Sequence, residues 1–205
     1  MKLGRVLVGI AALGAVAAGA VAVAGPVSNK LNPQNVSYNQ PAAKKGTPDK
    51  DLHFSLGLSS DALKKCFPHA KANVSVALKT DEIGKDIIKI DVSGLPANVS
   101  FTAFFLELPK APFGAAEYFG DVNTDKYGKG HGEFQLIVQE AFASTLVNGK
   151  RVRVDLNQMG MWFADPKDDE GCLKGSAPTP FDGDDDAGVQ IFNSANLRVA
   201  PLPAP

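Results

Sequence analysis

Beyond Asp51, apolar and polar residues mostly alternate with a period of two, the period of a strand with one wet face. In DLHFSLGL, Leu52, Phe54, Leu56 and Leu58 alternate with His53, Ser55 and Gly57. The same alternation runs through Val74, Val76 and Leu78, through Ile88, Ile90 and Val92, and through Phe134, Leu136 and Val138. It recurs where Val152, Val154 and Leu156 alternate with Arg151, Arg153 and Asp155. Val99 to Leu108 is different: Phe101, Phe104, Phe105 and Leu106 put apolar side chains on both parities, which predicts a central strand covered on both faces. Gly160 to Ala164 predicts a short buried strand, Ala115 to Val122 another, and Val189 to Val199 one or two more, broken near Asn193 to Asn196. Ser60 or Asp61 can cap a short helical turn that ends before Pro68. Turn signals fall at SGLPAN, across the Gly-rich Asn123 to Gly132, and at Val147-Asn148-Gly149.

About eight short strands with almost no helix predict an all-β fold, an antiparallel β-sandwich first and a small barrel second. The domain expected to carry them is 51–199, followed by a Pro-rich tail, 200–205, that cannot join a sheet interior.

One stretch has no period at all. From Asp165 to Ala187 the chain runs through Pro, Gly, Ser and acidic residues, eight acids against two lysines. Compact domains seldom keep so long a connection unless it is functional or disordered. It holds Cys172 and the run Asp182, Asp184, Asp185, Asp186, and is therefore the first place to look for a site.

The N-terminus changes the compartment. Lys2 and Arg5 precede an uncharged apolar run, Val6 to Ala24, that ends in Ala22-Val23-Ala24, a small-x-small cleavage pattern. This predicts a secretory signal peptide over 1–24. The alternative is a retained membrane anchor, since the run is at the lower edge of what spans a bilayer. Cleavage would change the formal net charge from −1 to −3 by removing Lys2 and Arg5. Gly25 to Lys50, rich in Pro, Asn, Gln, Ser and Lys, predicts a flexible linker. No basic cluster suggests nucleic acid, and no membrane contact is expected once the signal peptide is gone. The localisation expected is secreted or cell-surface.

The only two cysteines, Cys66 and Cys172, allow one intramolecular connectivity. In an exported chain that pair is expected to be a disulfide that tethers the acidic loop, free thiols being the alternative.

GLPAN before an aromatic strand, YFGDVNTDKYGKGHGEF across a hairpin, and the WFADP…PFDGD…AGVQ…FN ending resemble poorly characterised secreted bacterial proteins with an immunoglobulin-like β-sandwich. The resemblance spans roughly Asp51 to Val199. It implies fold and secretion, and it carries no catalytic motif. The chain departs from the antibody pattern because both cysteines lie in loops beside Pro or Gly and Trp162 comes late.

The candidate chemistry is sparse. Asp182, Asp184 and Asp186 at alternate positions in a flexible loop could supply carboxylates to calcium, which takes six to eight oxygens. A solvated acidic loop is the plainer reading of the same residues. Asp121, Asn123 and Asp125 also imitate the start of a calcium loop, but Lys126 and Gly132 stand where Gly and Glu are required, and a hairpin turn over Asp125 to Gly130 explains them better. His53, His69 and His131 have no ligand spacing for zinc. Met159 and Met161, soft ligands for copper in principle, fit a core better. No G-x-S-x-G or H-E-x-x-H occurs. Two functions follow: an exported non-enzymatic binding or structural module with an unknown extracellular ligand, or a secreted hydrolase acting on polysaccharide through carboxylates of the acidic loop.

Overall fold

In a computed structural model, residues 51–179 and 186–203 are described. The signal peptide and linker expected over 1–50, and Asp182 and Asp184, lie outside the described residues.

The described chain is all-β, with ten strands and two short helices. β1 is Leu52–Leu58, β2 Lys71–Ala77, β3 Asp86–Ser93, β4 Ser100–Leu106 and β5 Ala116–Asn123. β6 is Gly130–Leu136, β7 Phe142–Val147, β8 Lys150–Asp155, β9 Gln158–Phe163 and β10 Gln190–Asn193. α1, Asp61–Cys66, starts as the sequence predicts: the Ser60 hydroxyl accepts from Leu63 N, and Leu63 is fully buried. α2, Thr80–Ile83, is a single turn closed by Gly84 at φ 76°.

Eight strands form one antiparallel sheet in the order β5-β4-β9-β10-β1-β2-β3-β6. β1 joins its two halves, pairing with β2 over Leu52 to Leu56 and with β10 over Gly57 and Leu58. The end strands β5 and β6 are consecutive in the chain, and the Thr124–Gly130 bridge ties them at their hairpin. Phe119 of β5 and Phe134 of β6 meet edge-to-face at 5.2 Å. The sheet therefore nearly closes on itself, as a barrel does. β7 and β8 form a second sheet of two strands, where the sequence predicts only the later strand.

Alternate side chains from the strands of the large sheet fill the interior. Val74, Val76, Ile88 and Ile90 from one half meet Phe101, Phe105, Met159, Met161 and Ile191 from the other. Met159 and Met161 are fully buried, so they serve as core. β4 and β9 are buried on their outer parity too, where Phe104, Leu106 and Trp162 form a second cluster with Ala187 and Phe113. That is the two-faced strand predicted from Val99 to Leu108. Asp86 closes one end of the sheet. Its buried carboxylate accepts from Lys79 N at 2.7 Å, from Thr80 N at 2.9 Å and Oγ1 at 2.8 Å, and from Val138 N at 2.9 Å. A buried carboxylate so surrounded recovers the solvation it has lost.

Candidate functional site

The loop between β9 and β10 is held to the sheet by its own sequence. Asp165 caps a 3-10 turn, Pro166–Asp169, by accepting from Lys167 N at 2.9 Å. Pro166 suits the first turn because no amide proton is needed there. The turn delivers Asp169 beneath the surface, 1% exposed. Its carboxylate accepts from Val189 N at 2.7 Å and from Ser176 Oγ at 2.7 Å, and its carbonyl accepts from Cys172 N and Leu173 N. One side chain thus links the outgoing and returning arms of the loop. Gly188 makes the approach possible, since a Cβ there would lie 2.8 Å from Asp169 Oδ2 and 2.9 Å from Phe163 Cβ. The Cys66–Cys172 disulfide adds a covalent fastening to the end of α1.

A third fastening lies next to the acidic run. Thr179 and Ala187 exchange backbone hydrogen bonds of 2.6 and 2.8 Å, and Thr179 Oγ1 donates to Gly188 O at 3.0 Å. Ala187 packs with Phe104, Leu106 and Trp162. The chain therefore enters and leaves the acidic run at one point on the outer face of β4 and β9. Asp186, the described member of the expected calcium set, is exposed. Among the described residues no group of three His, Cys, Asp or Glu side chains is placed to hold a metal ion.

Charge accumulates along this loop. Partial desolvation, and after it the neighbouring charges of Asp165 and Asp169, raise the Asp168 carboxyl above its ordinary value, although the residue stands at the surface. Burial does the same to Glu117 on β5. The aromatic groups nearby are spent on packing. Trp162 meets Phe104 at 5.3 Å and Phe113 at 5.1 Å, both edge-on, and Gln190 Nε2 donates to Pro109 O at 3.2 Å, holding the segment after β4 over them. Tyr118, edge-on to Phe104, is the most exposed of this group at 44%.

The other half of the sheet presents a polar outer face. Ser55, Asn73, Asp91 and His131 stand in register, one on each of four neighbouring strands. Ser55 Oγ donates to Asn73 Oδ1 at 2.8 Å, and His131 Nδ1 lies 2.7 Å from Asp91 Oδ1. An open groove of about 700 Å3 beside this row is lined by Asn73, Asp91, Asn123, Asp125, Lys129 and His131. Serine, histidine and aspartate share the face, yet three strand spacings place Ser55 about 14 Å from His131, far too distant for proton relay. Asp125 is engaged in the hairpin turn: it accepts from Tyr127 N at 2.8 Å and Lys129 N at 3.0 Å, and these bonds hold its carboxyl below the usual range. The structure bears out the hairpin turn read over Asp125 to Gly130, between β5 and β6.

The arrangement defines a class: an all-β near-barrel, stapled by one disulfide, that carries a long fastened acidic loop. No protein-family model matches the chain, and no curated protein matches its sequence. Asp169, the residue that organises the loop, was not singled out by the sequence, because it is one acid among eight there.

Proposed function

We propose that the protein is an exported, non-enzymatic binding or structural module that presents the fastened loop between β9 and β10 to an extracellular ligand. The observation that carries this reading is the triple fastening by the disulfide, Asp169 and the Thr179–Ala187 bridge. Fixing the described arms of the loop, 165–179 and 186–189, costs roughly 1–2 kcal/mol per residue in backbone entropy, an outlay that a mere connection between two strands does not require. A disulfide suits an oxidising compartment, and among the described residues no helix is long and apolar enough to cross a membrane. The immunoglobulin-like form belongs to the same proposal. Its support is β1, which passes between two half-sheets facing one core, as a strand shared by the two layers of a sandwich would.

The polysaccharide hydrolase is the competing reading. It needs two carboxylates flanking a substrate cleft, whereas the aromatic side chains beside the loop pack against one another. Incubation of the purified protein with a panel of cell-wall and plant polysaccharides decides between them. The module reading expects no release of reducing ends. Release that Asp184→Asn abolishes would overturn it in favour of the hydrolase.

A further inference from the structure

The two-stranded sheet is an arm with an unusual end. Its base is anchored: Leu156 N donates to Ala141 O at 2.9 Å, and Ala143 and Val154 pack against the core. From there two six-residue strands run outward, about 20 Å at the usual rise. They close in a tight turn at Asn148 and Gly149, with φ 50° and 75°. That geometry is the hairpin turn whose twist matches the strands, so the tip has a defined shape.

The tip is apolar and cationic together. Leu146 is 64% exposed, Val147 49% and Val152 42%. The pairing of Leu146 with Arg151 and of Val147 with Lys150 places two cations among them, whereas the Arg153 guanidinium turns to the base, where it donates to Gln139 O at 3.1 Å. No acid occurs between Ser144 and Val154. Asp155, at the base, bonds Arg153 at 2.6 Å, and Arg153 also lies 4.2 Å from the centre of the Phe142 ring. Water favours the cations but not the three apolar side chains. A second copy of the arm joined along the β8 edge would set Lys150, Arg151 and Arg153 against their own kind, which like charges on neighbouring strands oppose.

We infer that the β7–β8 arm docks end-on to an anionic phospholipid bilayer. Leu146, Val147 and Val152 enter the boundary between headgroups and acyl chains, and Lys150 and Arg151 stay among the headgroup phosphates. This surface is separate from the fastened loop, and the inference goes beyond the function proposed above and departs from the expectation that the mature chain meets no membrane. Attraction to the surface amounts to about 1 kcal/mol per cation, close to a fivefold change in affinity for each one removed.

The test is flotation of the exported protein with vesicles of phosphatidylglycerol and phosphatidylcholine, against vesicles of phosphatidylcholine alone. All variants keep the same N-terminus, so any contribution from the segment ahead of Asp51 cancels between them. The parent is expected to float with the anionic vesicles, and salt should weaken the binding. Lys150→Gln with Arg151→Gln should weaken it about 25-fold. Leu146→Ser with Val147→Ser should also release the protein, with the melting temperature unchanged because those side chains lie outside the core. Four outcomes would overturn the inference. One is failure of the parent to float, and another is equal flotation of parent and arm variants. The third is heparin binding as tight as vesicle binding and indifferent to Leu146→Ser. The fourth is a concentration-dependent dimer in sedimentation that the same arm substitutions abolish, which would assign the arm to a second copy.

Discussion

Replacing Cys66 and Cys172 by alanine should cost the protein a large part of its stability. The bridge closes a loop with a sequence separation of 106 residues. In the chain-entropy account, a closure of that length restricts the unfolded chain by about 4.7 kcal/mol. Loss of folded contacts adds little, because Cys66 is exposed and Cys172 only partly buried against the core. For a domain of this size each kcal/mol moves the melting temperature by about 2–4 °C, so the double variant should melt roughly 10–19 °C lower. Thermal unfolding followed by circular dichroism measures this, and a urea titration adds a second reading. Freed of its cross-link the denatured chain expands, so the dependence of stability on urea should steepen while the midpoint falls. A fall of under about 3 °C with the urea dependence unchanged would refute the reasoning, since it would mean that the unfolded chain gains no freedom when the bridge is removed.

Other outcomes follow from single contacts. Gly160→Ala would set a Cβ 2.6 Å from the Trp162 ring and 2.9 Å from Leu106 Cδ1, and overpacking of that kind should cost about 1–3 kcal/mol; an unshifted urea midpoint would show that the outer cluster yields freely. Asp168→Asn should stabilise the protein at neutral pH. The folded-state pKa of Asp168 lies above its ordinary 3.8, so its ionised form disfavours the folded state, and the advantage of the variant should vanish as pH falls through that raised value and the parent's carboxyl takes up a proton. Melting curves of both proteins from pH 7 to pH 3 check the sign, and an advantage that grows in acid would contradict it. On the calcium reading of the acidic run, millimolar calcium at constant ionic strength should raise the melting temperature more than magnesium does, by the equivalent of about 2.7 kcal/mol at a hundredfold excess over the dissociation constant. Asp184→Asn with Asp186→Asn should erase the difference, and an unchanged melting curve of the parent would remove calcium from the account.

The sequence was most legible where a strand has one wet face. β1, β2 and β3 alternate cleanly because their outer parity, with Ser55, Asn73 and Asp91, meets water. β4 was legible as a strand covered on both sides, but its cover was not. That cover comes from Phe113 and from Ala187, the latter more than eighty residues further along the chain, and no local pattern encodes so distant a contact. β7 escaped for the opposite reason. Only Ala143 of its apolar-facing parity reaches the core, whereas Leu146 and Val147 stand side by side at the exposed tip, so the segment shows neither alternation nor a buried run.

The same limit governs the loop. Eight acids identified it as polar, and polarity alone predicts a solvated face for all of them alike. Among the described acids of the loop only Asp169 is buried, and a set of donors awaits it there: Val189 N at the start of the returning strand, Ser176 Oγ, and room for the carboxylate above Gly188. A carboxylate is buried only where such donors converge, and they converge because β9 and β10 are neighbours in the sheet. The strand order therefore decides which aspartate becomes the fastening. That order runs β9-β10-β1 and so brings the start and end of the domain together, a closure that depends on the whole chain.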